Sequence, residues 1–300
     1  MFLISHERLN FLRSLTLEKK IEYSTCAINE WYEYHEGQVS VSFSGGLDST
    51  VLLHLVRSIF PNIPAVFVDT GLEFPEVRSF VKSTDNVIWV KPKLSFKYVI
   101  ERYGYPVVSK RNAHYIYQIR NTKSDALRHE RLNGSSRGNL GKLPDKWKYL
   151  LDAPFKISDF CCHHLKTGPM QRFLKRSGLA PFVGMKVGDA GTRLIRYLRF
   201  GCNAFKSGHP QSNPLSIWSR NDINEYIDRF SVEYSKIYNL GYTKTGCMFC
   251  LFGAHKDKFP NRFQQMSQTH PKHYHYCMEA LGIRQVLQYM NIPFEMEVAA

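Results

Sequence analysis

Six consecutive residues have the types and order needed to bind a phosphate group: Ser44, Gly45, Gly46, Leu47, Asp48 and Ser49. Paired glycines allow a sharp turn and let backbone N–H groups approach an anion without an intervening Cβ. Serine hydroxyls add donors, whereas a carboxylate tolerates a phosphate only when a cation such as Mg²⁺ lies between them. The pattern predicts a phosphate site with a divalent cation; an ordinary glycine turn before a helix is the alternative.

Two closely spaced cysteine pairs are the second group of residues with a predicted chemical role: Cys161, Cys162, Cys247 and Cys250. Four thiolates are the ligand set of a [4Fe–4S] cluster or of a structural Zn²⁺ ion. Spacing alone leaves both metals open. Three other cysteines are expected to be ordinary buried or free thiols: Cys26, Cys202 and Cys277.

The phosphate-binding residues stand between a strand pattern and a helix pattern. Val39–Phe43 alternates β-branched and polar residues, and Thr50–Val56 is a mostly apolar run with helical character. Further strands are predicted at Ala65–Val68 and Val87–Val90, with helical stretches between them. Strands that alternate with helices predict an α/β fold with a doubly wound, mostly parallel sheet.

Ligands of such sheets bind at the carboxyl ends of the strands. The phosphate-binding residues follow the first predicted strand, and Asp69, Thr70 and Gly71 follow the second. We therefore expect Asp69, Thr70 and Gly71 to take part in binding the same nucleotide.

The remaining chain gives a coarser picture of domain organisation. Helices are expected near 5–35, 113–128, 219–230 and 272–290, and a later strand at 182–185. Polar, basic stretches such as 120–123 and 133–138 indicate an insertion or mobile segment near 104–160. The expected domains are N-terminal helices at 1–36 and a nucleotide-binding domain at 37–240. A cysteine loop with a helical tail at 241–300 is expected to pack on the same domain.

Charge and composition limit the classes of partner and the cellular location that we expect. A formal net charge of +14 over 300 residues predicts a polyanionic partner, either a nucleic acid or a phosphorylated nucleotide, with a solvated basic surface as the alternative. Basic stretches near Lys110–Arg137 and Lys256–His275 are candidate contacts. No apolar run approaches the ~20 residues of a membrane span, and the first residues do not form a secretory signal. A cytoplasmic protein with reduced cysteines is expected.

These motifs together resemble known families. Positions 44–49 are similar to the PP-loop of the adenine-nucleotide α-hydrolase superfamily. Val68–Glu76, Cys161–Met170 and Pro214–Tyr242 resemble successive motifs of the adenosine phosphosulfate (APS) and phosphoadenosine phosphosulfate (PAPS) reductase family. The resemblance extends over about residues 38–251. It implies that Cys161, Cys162, Cys247 and Cys250 hold a [4Fe–4S] cluster.

The resemblance extends to reductase-like proteins of DNA phosphorothioation systems and, more distantly, to tRNA thiolases. It implies an ATP pyrophosphatase that adenylates an acceptor and inserts sulfur. In that reading Asp48 orients Mg²⁺ beside ATP, and Lys166 and Arg193 stabilise developing negative charge. The expected nucleic-acid partner is DNA in preference to tRNA. The other expected partners are a cysteine desulfurase as sulfur donor and a second copy of the chain in a homodimer.

Two other functions compete with sulfur insertion. Reductases of the family attack the sulfonucleotide with a cysteine in a C-terminal tail, and Asn291–Ala300 contains none. An APS or PAPS reductase is therefore the runner-up, with Cys277 or an external thiol as the nucleophile. A nucleotide-binding regulator without catalysis is the third reading.

Overall fold

The structure is a computed structural model that describes residues 4–135 and 138–296. Parts of the N-terminal stretch, of the basic loop 133–138 and of the tail 291–300 considered above lie outside these ranges. The chain divides into two compact units. The first comprises residues 1–69, 73–91 and 169–245, and the second comprises 70–72, 92–168 and 246–300. This division differs from the expected domain boundaries, because segment 104–160 groups with the C-terminal part of the chain.

A four-stranded parallel sheet forms the centre of the first unit. Its strands are β1 (Val39–Ser42), β2 (Ala65–Val68), β3 (Val87–Val90) and β4 (Ala180–Val183), in the order β3-β2-β1-β4. The register pairs Val41 with both Ala65 and Phe182. The predicted α/β class with a parallel sheet is confirmed. Strand order changes direction at β1, which places a topological switch point between β1 and β4.

The α-helices, in chain order, are α1 (His6–Arg13), α2 (Leu17–Tyr34), α3 (Leu47–Ile59), α4 (Pro75–Ser83), α5 (Phe96–Tyr103), α6 (Lys110–Asn121), α7 (Asp125–Asn133), α8 (Phe160–Cys162), α9 (Gly168–Ser177), α10 (Gly191–Phe200), α11 (Arg220–Phe230), α12 (Arg262–Thr269), α13 (Pro271–His275) and α14 (Ile283–Tyr289). The core of the first unit contains Trp31, Phe67, Phe182 and Trp218, each at most 2% exposed. Within the described residues, no helix combines the length and apolarity needed to cross a bilayer.

The second unit is mainly helical and corrects two predictions. The helix expected at 113–128 is two helices, α6 and α7, separated at 122–124. The helix expected at 272–290 is also interrupted, because a π-helical turn at Tyr276–Ala280 is followed by Gly282 with φ +62°. Glycine adopts this left-handed conformation at no steric cost, and it allows α14 to start in a new direction.

A buried ion pair joins α2 to α11 within the first unit. Lys20 Nζ lies 2.8 Å from Asp222 Oδ2, and their side chains are 5% and 12% exposed. Asp222 also caps α11, because the Ser219 N–H donates to its carboxylate at 2.6 Å. Burial acts to raise the pKa of Asp222, but the bonds from Lys20 and Ser219 outweigh it and lower the pKa overall.

Replacing Lys20 by methionine is expected to destabilise the protein by about 3 kcal/mol at about pH 7, because the Asp222 charge stays buried without its partner. A carboxyl with a lowered folded-state pKa contributes stability above its unfolded pKa, and that stability is lost as pH falls. The difference in unfolding free energy between wild type and Lys20→Met is therefore expected to be smaller at about pH 3 than at about pH 7. Urea unfolding at both pH values measures it. Lys19→Met is the control, since Lys19 pairs with Glu22 while both side chains are 61% exposed; an equal loss in the two variants would contradict the prediction.

Candidate functional site

The predicted phosphate loop, residues 44–49, lies at the carboxyl end of β1 and runs directly into α3. The hydroxyls of Ser44 and Ser49 lie 3.0 Å apart, and Ser49 Oγ donates to the Gly46 carbonyl at 2.9 Å. The Leu47 N–H donates to the Tyr238 hydroxyl at 3.0 Å. These bonds close residues 44–49 into a fixed turn at the start of a helix, where N–H groups favour anions.

Both glycines of the loop are required by its geometry. Gly45 has φ +69°, and a Cβ there would lie 2.8 Å from Val77 Cγ1. A Cβ on Gly46 would lie 2.5 Å from Thr245 Oγ1. Any side chain at these positions would therefore collide with α4 or with residue 245, so the sequence signal at positions 45 and 46 has a direct steric cause.

An ion pair spans the switch point between β1 and β4. The Lys186 ammonium, three residues past the end of β4, bonds to Asp48 Oδ2. Lys186 is 6% exposed, and the Asp48 side chain is 27% exposed. A Cβ on Gly184 would lie only 3.1 Å from the Asp48 carbonyl, so this glycine permits the close approach of the two segments. Asp48 is therefore partly buried and paired with a cation.

Further charges extend this ion pair into a network. Asp189 lies 3.7 Å from the Lys186 ammonium and also pairs with Arg193 on α10. Arg220, at the start of α11, places a guanidinium nitrogen 3.9 Å from Asp48 Oδ1. Three cations therefore surround two carboxylates in the first unit. Arg193 was predicted as a catalytic residue; the structure connects it to Lys186 through Asp189.

Lys186 and Arg220 were not among the predicted site residues. Lys186 follows Gly184 and Met185 just beyond a predicted strand, which is where ligand-binding residues of parallel sheets lie. That position was the available signal. Arg220 carries no comparable signal, because it is only the first residue of an otherwise ordinary capped helix.

The residues after β2 do not all have the same surroundings. Asp69 is 7% exposed, and its Oδ2 accepts a hydrogen bond from Arg78 of α4 at 2.9 Å. Thr70 Oγ1 accepts from the Leu72 N–H at 3.1 Å. Gly71 has φ +75°, and a Cβ there would meet no described atom within 4 Å. Their predicted part in nucleotide binding stays a prediction.

All four predicted metal ligands belong to the second unit. Cys161 and Cys162 form the end of α8, and their sulfur atoms lie 4.0 Å apart. The chain continues as a π-helical turn at His163–Thr167, a helix irregularity that is frequent at functional sites. Cys250 donates its N–H to the Cys247 carbonyl at 3.1 Å, which closes the Cys-x-x-Cys turn.

The thiols of the two pairs influence one another. Hydrogen bonding to Cys162, burial and the nearby sulfurs of Cys162, Cys250 and Cys247 raise the pKa of Cys161. The hydrogen bond from Cys161 lowers the pKa of Cys162 to about 6, with help from the charges of Lys110 and Lys166. Burial, followed by the Cys247 charge, raises the pKa of Cys250 to about 11.

No disulfide bond joins cysteines in the part of the chain that the structure describes. Among residues 4–135 and 138–296, no group of three or more His, Cys, Asp or Glu side chains is gathered for a metal ion. The assignment of the four cysteines as ligands therefore stays a prediction. Lys166, predicted as catalytic, lies in the π-helical turn, and its charge acts on Cys162.

Backbone contacts fix the Cys-x-x-Cys turn within the second unit. The Met248 N–H donates to the Leu72 carbonyl at 2.8 Å. Arg262 donates to the carbonyls of Cys250 and Phe252 at 2.9 and 3.0 Å, and its pKa is raised, because its ion pair with Asp257 outweighs the opposing effect of burial. The loop that carries Cys247 and Cys250 is therefore held by its backbone.

Comparison with known proteins assigns the family. Residues 38–130 and 142–251 match the family model described as "Phosphoadenosine phosphosulfate reductase domain". The chain belongs to this family. The PAPS reductase of Buchnera aphidicola is 27% identical over 245 residues, which cover 81% of this chain and 82% of that protein.

Two further matches are more distant or partial. An uncharacterized protein of Methanocaldococcus jannaschii is 23% identical, and the match covers 74% of this chain but 38% of that protein. The solved U34-tRNA thiolase NcsA from Methanococcus maripaludis, with its [4Fe–4S] cluster, is 13% identical. The alignment covers 92% of this chain and 84% of that chain, with a TM-score of 0.34.

Proposed function

We propose that this member of the PAPS reductase family is an ATP pyrophosphatase that activates an oxygen on a nucleic acid for replacement by sulfur. DNA is the proposed acceptor, as in phosphorothioation, and a cysteine desulfurase is the proposed sulfur donor. One observation favours ATP over a sulfonucleotide. Cys277, the one cysteine that follows Cys250 in these 300 residues, is 0% exposed, whereas Asp48 of the loop at 44–49 has the cations of Lys186 and Arg220 beside it.

The burial of Cys277 bears on the reductase reading directly. A reductase nucleophile must reach the sulfonucleotide and ionise readily. Cys277 lies in the π-helical turn at Tyr276–Ala280, and burial raises the pKa of its thiol. Both properties fit a core residue and oppose a role in attack on sulfur.

The charges around Asp48 suit a polyphosphate with a bound cation. Asp48 Oδ1 is buried and has no hydrogen-bond partner among the described residues. A buried carboxylate oxygen of this kind is a suitable ligand for Mg²⁺. A bound Mg²⁺ ion would neutralise part of the negative charge on the triphosphate. Lys186 and Arg220 lie beside the same carboxylate and would offset the negative charge that develops on the phosphates.

The proposed chemistry has two displacements. An acceptor oxygen attacks the α-phosphorus of ATP, a new P–O bond forms, and pyrophosphate leaves with the bond electrons. The terminal sulfur of a donor persulfide then displaces AMP, which carries away the acceptor oxygen. A thiol reduces the resulting disulfide link and frees the sulfur on the acceptor.

The four cysteines fit an iron–sulfur centre by their donor chemistry. They are four soft sulfur ligands in one unit, and the hydrogen bond from Cys161 and the charges of two lysines lower the pKa of Cys162. When bound, a [4Fe–4S] cluster supplies iron that ligates sulfur and exchanges electrons. Lys110 and Lys166 favour the thiolate of Cys162, so this chain's own contribution is to hold an ionised ligand in place.

A PAPS or APS reductase is the second candidate function. It is favoured by the Buchnera reductase, which matches over most of both chains. In that case the phosphates of the sulfonucleotide would occupy the same loop, and an external thiol would release sulfite.

One experiment separates the candidates. The protein is purified without oxygen and supplied with Mg²⁺ and either ATP, or APS or PAPS with a thiol. Pyrophosphate release from ATP that increases with added single-stranded DNA is expected. Sulfite release from APS or PAPS without pyrophosphate release from ATP would instead establish the reductase. Release of neither pyrophosphate nor sulfite with any of these nucleotides would favour the non-catalytic regulator.

Cys277→Ala is expected to leave pyrophosphate release within roughly twofold of the wild type, because a buried thiol with a raised pKa takes no part in the chemistry. Thiol labelling of the native protein provides a matched check, since exposed Cys26 should react and Cys277 should not. Loss of sulfite release in Cys277→Ala, from a wild type that shows it, would contradict this prediction and the proposed function together.

A further inference from the structure

An open pocket of about 460 Å³ lies on the second unit, outside the phosphate loop and the cysteine pairs. Its lining combines aromatic rings and charged groups: Tyr98, Glu101, Arg102, Tyr103, Tyr117 and Lys156. Three tyrosine side chains line one concave surface. Rings that face water leave apolar area uncovered, and a ligand that stacks on them would remove this area from water. The composition of the pocket therefore suits a ligand with a flat face.

The rings of the pocket are held by packing. Tyr103 stacks on His164 with centroids 4.8 Å apart and planes 15° from parallel. The rings of Tyr103 and Tyr117 both pack edge-on against Phe160, with ring centroids 5.4 and 4.8 Å from its centroid. Tyr98, in contrast, is 45% exposed, so its ring remains open to a ligand. A base that enters would meet rigid surfaces and lose little conformational entropy from the protein.

Cations stand beside these rings. The Arg102 guanidinium lies 5.8 Å from the centre of the Tyr103 ring. Lys156 Nζ donates to the carbonyls of Glu101 and Arg102, each at 3.3 Å, at the end of α5. Glu101 adds one carboxylate, which lies 3.9 Å from Lys97. A carboxylate in the lining opposes a phosphate inside the pocket, so the phosphates of a ligand would follow the cations around it.

Helix α6 and Phe160 link residues of the pocket to the first cysteine pair. Helix α6 presents Lys110, His114 and Tyr117 on one face, because these residues are spaced by four and three positions. Lys110 acts on Cys162, His114 lies 3.1 Å from Asp159, and Tyr117 lines the pocket. Phe160, which supports the pocket rings, directly precedes Cys161.

We propose that this pocket binds one unstacked base of a single-stranded nucleic acid, next to the Cys161–Cys162 pair. The inference rests on the proposed function, since it names the form in which the acceptor is presented. Stacking on aromatic side chains with cations along the backbone is the usual way in which proteins bind single strands. The net charge of +14 supplies the general attraction, and the tyrosines supply the contact that distinguishes a base from a phosphate.

The test compares two single-stranded ligands with equal numbers of phosphates, an oligothymidylate of about 12 nucleotides and an abasic strand of the same length. The anaerobically purified full chain is expected to bind oligothymidylate roughly fivefold or more tightly than the abasic strand. Tyr98→Ala should lose most of this preference, and Tyr98→Phe should keep it because the ring is retained. Arg102→Gln should weaken binding to both strands and lower the salt slope by about one.

Tyr34→Ala is the matched control, because Tyr34 is 60% exposed on α2 in the first unit. No preference for bases in the wild type, or equal losses with both strands in Tyr98→Ala, would overturn the proposal. A loss in Tyr34→Ala as large as in Tyr98→Ala would also overturn it. Pyrophosphate release without nucleic acid is measured in parallel. If the base preference does not depend on Tyr98 but ATP is still cleaved, only the proposed base pocket is rejected. If base binding depends on Tyr98 but ATP is never cleaved, only the proposed function is rejected.

Discussion

Asp48→Asn is expected to lower ATP-dependent pyrophosphate release by about 10²–10³-fold, the usual loss when a charge-organising group is removed from a reaction centre. Asp48 has two parts in the site. One carboxylate oxygen holds the ammonium of Lys186, and the other is buried without a hydrogen-bond partner and is available to Mg²⁺. Asparagine keeps the shape of the side chain but removes the charge on which both parts depend.

The same substitution also affects stability, which the sequence did not suggest. Lys186 is 6% exposed, so Asp48→Asn leaves a buried ammonium whose remaining carboxylate partner in the described structure is Asp189, 3.7 Å away. We expect a loss of about 3 kcal/mol, typical of a broken buried pair. The double variant Asp48→Asn with Lys186→Met should recover much of this stability and none of the activity. That combination separates an electrostatic role from a purely structural one.

Asp125→Asn serves as the control, because Asp125 is 96% exposed and its removal changes the net charge equally. Initial rates at saturating ATP and urea unfolding provide the two measurements. Near-normal turnover in a folded Asp48→Asn protein would remove Asp48 from the site. A double variant that recovers activity together with stability would show that the charge itself is dispensable.

The sequence was sufficient to predict the features that depend on neighbouring residues. The strands at 65–68 and 87–90 are found where they were predicted, and Ser219 caps α11 as expected. The two glycines of the phosphate loop are predictable because their requirement is local and steric. Helix breaks near 122 and at Gly282 were missed, because the point where a helix stops depends on tertiary packing as well as on local sequence.

Long-range ion pairs could not be predicted in the same way. Asp48 and Lys186 are far apart in sequence, and they meet because β4 pairs with β1. Strand order is a property of the whole sheet, and no local pattern around Lys186 encodes it.

Basic residues show a related limit on sequence reasoning. Arg120 belongs to a stretch that was read as a nucleic-acid contact, but it lies at the end of α6 and donates to carbonyls of the chain. Its acceptors are Leu150, Leu151, Ala153 and Phe155, at 2.7–3.0 Å. A count of positive charges therefore overstates the surface available to a polyanion, because some cations satisfy the backbone of the protein itself.

Cys247→Ser and Cys162→Ser are each expected to abolish the broad absorbance near ~400 nm that a thiolate-ligated iron–sulfur cluster gives the anaerobically purified wild type. One ligand is taken from each pair. If both pairs serve a single centre, the two variants should lose iron and sulfide to the same extent. Activity should be lost with the cluster in both.

Cys26→Ser is the control, since Cys26 is an exposed cysteine on α2, far in sequence from both pairs. Its colour and metal content should match those of the wild type. A colourless wild type with one zinc ion per chain would contradict the cluster while retaining the four-thiolate site, because Zn²⁺ accepts the same ligands. Loss of metal in only one of the two variants would contradict a shared centre, since a cluster held by four cysteines depends on both pairs equally.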